Sequence, residues 1–294
     1  MFDLHPYLEE KRGIVEQALD VHLPPKDERP AVLHEAMRYS VFAGGKRFRP
    51  ILCLASAEAV GGSAERALRP AMAVEVLHTY TLIHDDLPAM DDDALRRGKP
   101  TCHKVYGEAN AILAGDALLT LAFEWLAECQ APRPYLPNQF ALELAEAAGS
   151  RGVIAGQVED LASEGRPPNA ELVEYIHLHK TCALIRAAVR IGAIAGGART
   201  DVLNALTIYG GNIGLAFQIV DDILNVTSTA ERLGKAAGSD PKRKKVTYAA
   251  LYGVDVAQAK ARELIDRAIA ELAEVPGETE PLEAIAQYII DREK

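Results

Sequence analysis

The chain has 294 residues, 49% of them apolar and 25% charged, ordinary globular usage that excludes a disordered or collagen-like polymer. A formal net charge of −10 argues against a nucleic-acid partner, since such a partner needs a basic face. It also means that a bound polyanion has to be met by locally placed Lys and Arg, or by metal ions.

The N-terminus, MFDLHPYLEEKRG, lacks a basic stretch followed by an apolar core, so no secretory signal is expected and the expected location is cytoplasmic. Helical periodicity then dominates the chain. Segments 64–86, 113–128, 139–162, 170–196 and 201–227 are long, rich in Ala, Leu and Ile, and read as buried or partly buried helices. In 113–128, Leu118, Leu119, Ala122, Phe123, Trp125 and Leu126 make an apolar face too broad for a surface helix, which predicts a buried one. Segment 257–273 sets Leu264, Ile265, Ala268, Ile269 and Leu272 on one stripe. Turn signals separate these helices, among them Gly44-Gly45, Gly61-Gly62, Arg97 to Pro100, Pro132 to Pro137, Gly165 to Pro168 and Gly196-Gly197. None is long enough to be a domain linker, and aromatics at 6% are few for a strand-rich fold. The prediction is an all-α, single-domain antiparallel helical bundle spanning 1–294. No run reaches about 18 consecutive apolar residues, so no membrane span is expected. The four cysteines, at 53, 102, 129 and 182, lie far apart and read as reduced thiols rather than a disulfide frame or zinc site.

The chemistry concentrates in two acidic stretches. His78 to Pro100 reads HTYTLIHDDLPAMDDDALRRGKP, placing Asp85, Asp86, Asp91, Asp92 and Asp93 at the end of an apolar helix, followed by Arg96, Arg97 and Lys99. A second pair, Asp221-Asp222, closes the apolar run in GLAFQIVDDILN. Carboxylates crowded at the ends of buried helices raise one another's pKa unless cations neutralise them. An oxygen-only donor set favours a hard cation such as Mg2+, which takes one or two carboxylates and completes its shell with water and substrate phosphate. Pro88 removes a backbone donor and loosens the chain between Asp85 and Asp91. Asp92 and Asp93 read as a solvated helix end, whereas Asp85 and Asp221 follow apolar turns and read as a shared metal site.

Gly44 to Pro50, GGKRFRP, brings backbone amides together with Lys46, Arg47 and Arg49, which suits a diphosphate. Alone, such a loop is a helix end with solvated cations. It gains weight because an acidic chain also carries basic groups at Arg96-Arg97, Lys180, Lys235 and Lys242 to Lys245.

Taken in order from about residue 30 to 252, GGKRFRP, HTYTLIHDDLPAMDDDALRRGKPT, GQVEDL, HKT, FQIVDDILN and LGKAAGSDPKRKKVTY closely resemble the trans-isoprenyl diphosphate synthases, the polyprenyl synthetases, and most of all bacterial farnesyl diphosphate synthases. The resemblance implies a bundle around a deep central cavity, a homodimer, and three Mg2+ ions, with Mn2+ able to replace them. By matching position, the ions would be held by Asp85, Asp86, Asp91, Asp221 and Asp222. Arg96, Lys180 and Lys245 would hold an allylic diphosphate, with Thr181, Gln218 and Lys235 nearby. Lys46, Arg49, His78 and Arg97 would hold isopentenyl diphosphate, and Asp85, Asp91, Lys180, Asp221 and Lys245 would carry the catalysis. The implied reaction ionises the allylic C–O bond and couples the cation head-to-tail to the isopentenyl double bond. His84 is read as a packed histidine, and Gln157 with Asp160 either as facing the cavity or as tying two helices.

The second motif departs from the family's DDxxD, because Asn225 holds its last place and brings no charge. A weaker third Mg2+ site is expected. Product length is read from Tyr80, five residues before Asp85, as a cavity floor with the small Thr81 beside it; this ranks a fifteen-carbon product first and geranylgeranyl diphosphate second. Three other classes compete: a His-Asp phosphohydrolase, which lacks a converging set among the eight histidines; a terpene cyclase, which has no use for the GGKRFRP loop; and a non-catalytic synthase subunit, which would lose its Asp motifs.

Overall fold

Apolar residues recurring at helical spacing dictate the architecture. The structure is a computed structural model that describes residues 2–163, 165, 169–227 and 247–291. Helix α1, Leu4–His22, starts at Asp3, whose carboxylate accepts from the His5 amide. Helices α2 (Ala31–Val41), α3 (Phe48–Ala59) and α4 (Ala64–Asp85) follow. A two-stranded hairpin, β1 (Leu95–Arg96) and β2 (Lys99–Pro100), pairs Arg96 with Lys99. Its turn residues Arg97 and Gly98 have φ of 55° and 76°, the left-handed pair that a two-residue hairpin turn requires. Then come α5 (Cys102–Tyr106), α6 (Glu108–Ala127), α7 (Gln139–Ala148), α8 (Val153–Ser163) and α9 (Ala170–Ile176). A π-helical turn, His177–Cys182, leads into α10 (Ala183–Gly196) and α11 (Thr200–Thr227). The described chain closes with α12 (Tyr248–Tyr252), α13 (Val254–Glu271) and α14 (Glu280–Asp291).

The fold is all-α apart from that hairpin, as expected. Helix α10 runs through the centre, its residues Leu184, Ile185, Val189, Ile191 and Ile194 buried, and packs on α3, α4, α7 and α11. Helix α4 packs on α3 and α6, and α11 on α13, so one continuous apolar cluster forms the interior.

Three expectations change. The helix predicted over 139–162 is two helices, because the turn at Gly149 to Gly152 breaks it. The segment 170–196 is helical throughout but contains the π turn, which hydrophobic spacing does not reveal. Helix α6 is not buried all round: Leu118, Ala122, Trp125 and Leu126 face inward, whereas Ile112 and Leu113 are 43% and 55% exposed. By length and composition alone, α6 and α11 are each long and apolar enough to cross a membrane. Both lay their buried faces against other helices of the bundle.

Candidate active site

A cavity of 880 Å3 opens between the end of α4, the loop before α3, the π turn and α11. Its acidic wall begins at Asp85, the last residue of α4, where the negative end of the helix dipole disfavours a carboxylate. Burial pushes the Asp85 carboxyl up to about 6; the neighbouring Asp91 and Asp86 add to this, while Lys180 and Arg96 oppose it. The loop folds back so that the Asp91 amide donates to the Asp85 carbonyl at 2.8 Å. Asp221 and Asn225, one turn apart on α11, reach the same cavity.

Among the described residues, no three His, Cys, Asp or Glu side chains converge closely enough to enclose a metal ion unaided. The carboxylates are divided between two walls, an arrangement suited to ions whose shells are completed by water and a bound diphosphate. The donors are oxygen only, and burial, which raises the Asp85 carboxyl with smaller contributions from Asp91 and Asp86, makes its charge costly there until a cation compensates it. Asp85, Asp91 and Asp221 therefore fit Mg2+.

Of the five expected ligands, Asp86 does not line the cavity, and Asp222 lines it with both carboxylate oxygens engaged by the protein. Adjacent residues on a helix point about 100° apart, so the two members of each Asp-Asp pair face different ways. Asp86 is buried under the Arg96 guanidinium, with Nε 3.0 Å from Oδ1. Asp222 borders the cavity, but both its oxygens are engaged: Oδ2 accepts from the Tyr248 amide at 2.7 Å and lies 3.2 Å from His177 Nε2, and Oδ1 accepts from Gln218. Asp93, expected in solvent, lines the cavity instead, whereas Asp92 is exposed.

The basic wall is built on Gly44 and Gly45, whose φ of 105° and 126° are left to glycine. The Arg97 guanidinium lies against Gly45, where a Cβ would stand 2.6 Å from Arg97 Cζ, and donates to the Gly44 carbonyl. Lys46 reaches Tyr288 Oη of α14 at 3.2 Å. Burial draws the Arg49 guanidinium down to about 10, still cationic at neutral pH. Its Nη1 lies 3.2 Å from His78 Nε2. Burial first, then Arg49 and Arg97, holds His78 well below the ordinary histidine range. A neutral imidazole therefore accepts from Arg49 and orients it. Arg47 is turned inward: it pairs with buried Glu75 at 2.8 Å and donates to the Val41 carbonyl at 2.7 Å, tying the glycine loop to α4.

The π turn carries Lys180 and Thr181 to the cavity. Lys180 Nζ lies 2.6 Å from Asp160 Oδ2 on α8, and Thr181 donates to Gln218 Oε1 at 2.7 Å. Lys235 and Lys245 lie outside the described residues. Asp160 thus ties two elements together, while the buried Gln157 amide has no hydrogen-bond partner among the described residues.

Tyr80, read as the cavity floor, is not among the residues that line this 880 Å3 cavity. Counting 100° per residue, position i−5 sits about 140° round the helix from Asp85, and i−4 about 40°. Thr81 accordingly lines the cavity. The Tyr80 ring meets His84 edge-on at 5.3 Å, and His84 Nε2 lies 3.1 Å from the Ile112 carbonyl of α6, a packed histidine as expected. Sequence reasoning missed the stacked Phe48 and Phe217, 5.3 Å apart on the apolar lining, and Tyr288 from the C-terminal helix. Nothing in their local sequence sets them apart from core aromatics.

The polyprenyl synthetase family model matches residues 30–286. Geranylgeranyl pyrophosphate synthase 12, chloroplastic, of Arabidopsis thaliana is 48% identical over 301 residues, covering 99% of this chain and 82% of that protein. Geranylgeranyl diphosphate synthase of Cyanophora paradoxa is 46% identical over 293 residues, covering 99% and 97%. The solved structure of an FPP/GFPP synthase from Zymomonas mobilis matches with a TM-score of 0.85 at 37% identity, covering 98% of each chain.

Proposed function

The chain belongs to the polyprenyl synthetase family and is a short-chain trans-prenyltransferase, and on that premise we propose that it extends allylic diphosphates with isopentenyl diphosphate to the twenty-carbon geranylgeranyl product. One observation carries the reading: carboxylates of α4 and α11 and cations of the glycine loop line one cavity. Two others support twenty carbons over fifteen. The curated relatives at 46% and 48% identity are geranylgeranyl diphosphate synthases. On the lining face of α4, Thr81 is small where Tyr80 was expected.

In this reading Lys46, Arg49 and Arg97 hold the diphosphate of the isopentenyl substrate, with Arg49 oriented by His78. Arg96, Lys180 and Thr181 face the allylic diphosphate, with Gln218 behind Thr181, and Lys235 and Lys245 are assigned to it from sequence alone. Asp85, Asp91 and Asp221 would hold Mg2+, which would supply positive charge to a departing diphosphate; Asn225, bringing no charge, would make the α11 side the weaker one. The allylic C–O bond breaks with its electron pair leaving on the diphosphate. Phe217, Leu184 and Val153 line the cavity and keep water from the cation. The fixed second substrate presents its double bond to that cation, a C–C bond forms, and a proton leaves to the released diphosphate. No side-chain nucleophile is required. The protein is further proposed to be a cytoplasmic homodimer, supported by its four free thiols and by the outward apolar residues of α6.

The test is incubation of the purified protein with labelled isopentenyl diphosphate, Mg2+ and dimethylallyl, geranyl or farnesyl diphosphate, followed by chromatography of the dephosphorylated products. Geranylgeraniol from all three primers is expected. A ladder ending at farnesol overturns the chain length; a cyclic hydrocarbon, or phosphate release without coupling, overturns the reaction.

A further inference from the structure

The π turn is held between two helices by polar contacts, and the proposed chemistry gives the His177–Asp222 contact no part. On one side, Gly156 of α8 lies against the Lys180 backbone with no room for a side chain, and Asp160 receives the Lys180 ammonium. On the other, two polar rungs cross to α11 in antiparallel register. Thr181 donates to Gln218 at 2.7 Å, and His177 Nε2 lies 3.2 Å from Asp222 Oδ2. Thr181 follows His177 by four residues and Asp222 follows Gln218 by four, so each rung joins side chains one turn apart on their own elements. The rungs are themselves linked, because Gln218 Nε2 donates to Asp222 Oδ1 at 3.3 Å. His177 and Asp222 are both 4% exposed. This 3.2 Å contact therefore sits in a low-dielectric setting, where a polar interaction is strong and its loss costly. Asp222 Oδ2 also accepts from the Tyr248 amide at 2.7 Å, where the described chain resumes after residue 246.

We propose that His177 and Asp222 are positioning residues, a buried clamp that fixes the π turn to α11 and so sets the spacing between Lys180 and Asp221 across the cavity. The wide π turn spreads its side chains, sending Lys180 towards α8 and leaving His177 and Thr181 to grip α11. Asp222 then acts through His177, Gln218 and the Tyr248 amide and not as a metal ligand. The Asp-Asp pair divides the work: its first member faces the ions, and its second holds the frame. The inference rests on the prenyl-transfer reading of the site, and the test separates the two.

His177→Ala, His177→Gln, Asp222→Asn and the His177→Ala/Asp222→Asn double variant are compared with the unaltered protein and with Asp221→Asn. Turnover with an allylic diphosphate should fall about tenfold to a hundredfold in His177→Ala and in Asp222→Asn. The double variant should fall no further than the worse single one, the sign of one shared interaction. His177→Gln, which keeps a donor in reach, should recover most of the loss. Mg2+ binding measured by calorimetry with inorganic pyrophosphate should stay at the unaltered level in Asp222→Asn and drop in Asp221→Asn. Additive losses, unchanged turnover, or a fall in Mg2+ affinity in Asp222→Asn equal to that of Asp221→Asn would overturn the clamp. Should Asp222→Asn not fold, as judged by its melting transition, the comparison of His177→Ala with His177→Gln decides. Failure of the unaltered protein to couple the substrates sinks the functional reading alone, and the calorimetric comparison still decides on Asp222.

Discussion

Asp85 shows how a single buried carboxyl links stability to function. Its folded-state pKa of about 6 stands above the ordinary value of 3.8, so the folded protein binds this proton more tightly than the unfolded chain does. The group therefore favours folding below about pH 4, and that contribution is lost as pH rises through 6. The difference corresponds to about 2–3 kcal/mol. Without divalent ions, Asp85→Asn is expected to be more stable than the unaltered protein at pH 7 by about that amount, and the gap should close towards pH 5. Urea unfolding at the two pH values checks this; a gap independent of pH would contradict it. The same carboxylate charge that weakens the bare protein at neutral pH attracts the cation, and acidification through pH 6 should weaken Mg2+ uptake. His78 follows the opposite logic, since burial and then its arginine neighbours hold it neutral, and it serves by orienting Arg49.

At the scale of elements, the proposed function gives α4 control of product length through the face it turns to the cavity. Thr81→Phe puts a ring on that wall one turn below Asp85, and the product is expected to shorten from twenty carbons to fifteen or ten. Chromatography of the dephosphorylated products reads this directly; an unchanged twenty-carbon product would place the limit elsewhere. Both acidic motifs, the glycine loop and the order of the long helices were legible in the sequence, because acidic clusters after apolar turns and paired glycines before cations are local patterns. Which member of each Asp-Asp pair faces the ions was not legible, nor was the place of Tyr80. Both depend on helix phase: an error of one residue turns a side chain by about 100°. The π turn escaped notice for a related reason, since one extra residue in a turn leaves the apolar pattern on either side intact. Arg47 looked like a phosphate contact, but its φ of 50° and its pairing with Glu75 make it the fastening of the loop.

For the whole molecule, the balance of charge was the informative quantity. A chain of net charge −10 sets cations of the glycine loop, the hairpin and the π turn round one cavity, whose carboxylates are suited to divalent ions. The outward face of α6 bears Ile112 and Leu113, and light scattering is expected to give twice the chain mass of 31.8 kDa. A monomer at micromolar concentration would contradict the homodimer. The cavity's carboxylates come from two helices, and among the described residues no trio is able to enclose an ion unaided. Metal and diphosphate then become each other's missing ligand, so each should be held loosely alone and firmly together. By thermodynamic reciprocity, the factor by which one tightens the other must be the same in both directions. The protein is thereby built to ignore free magnesium and free pyrophosphate and to respond to their coincidence.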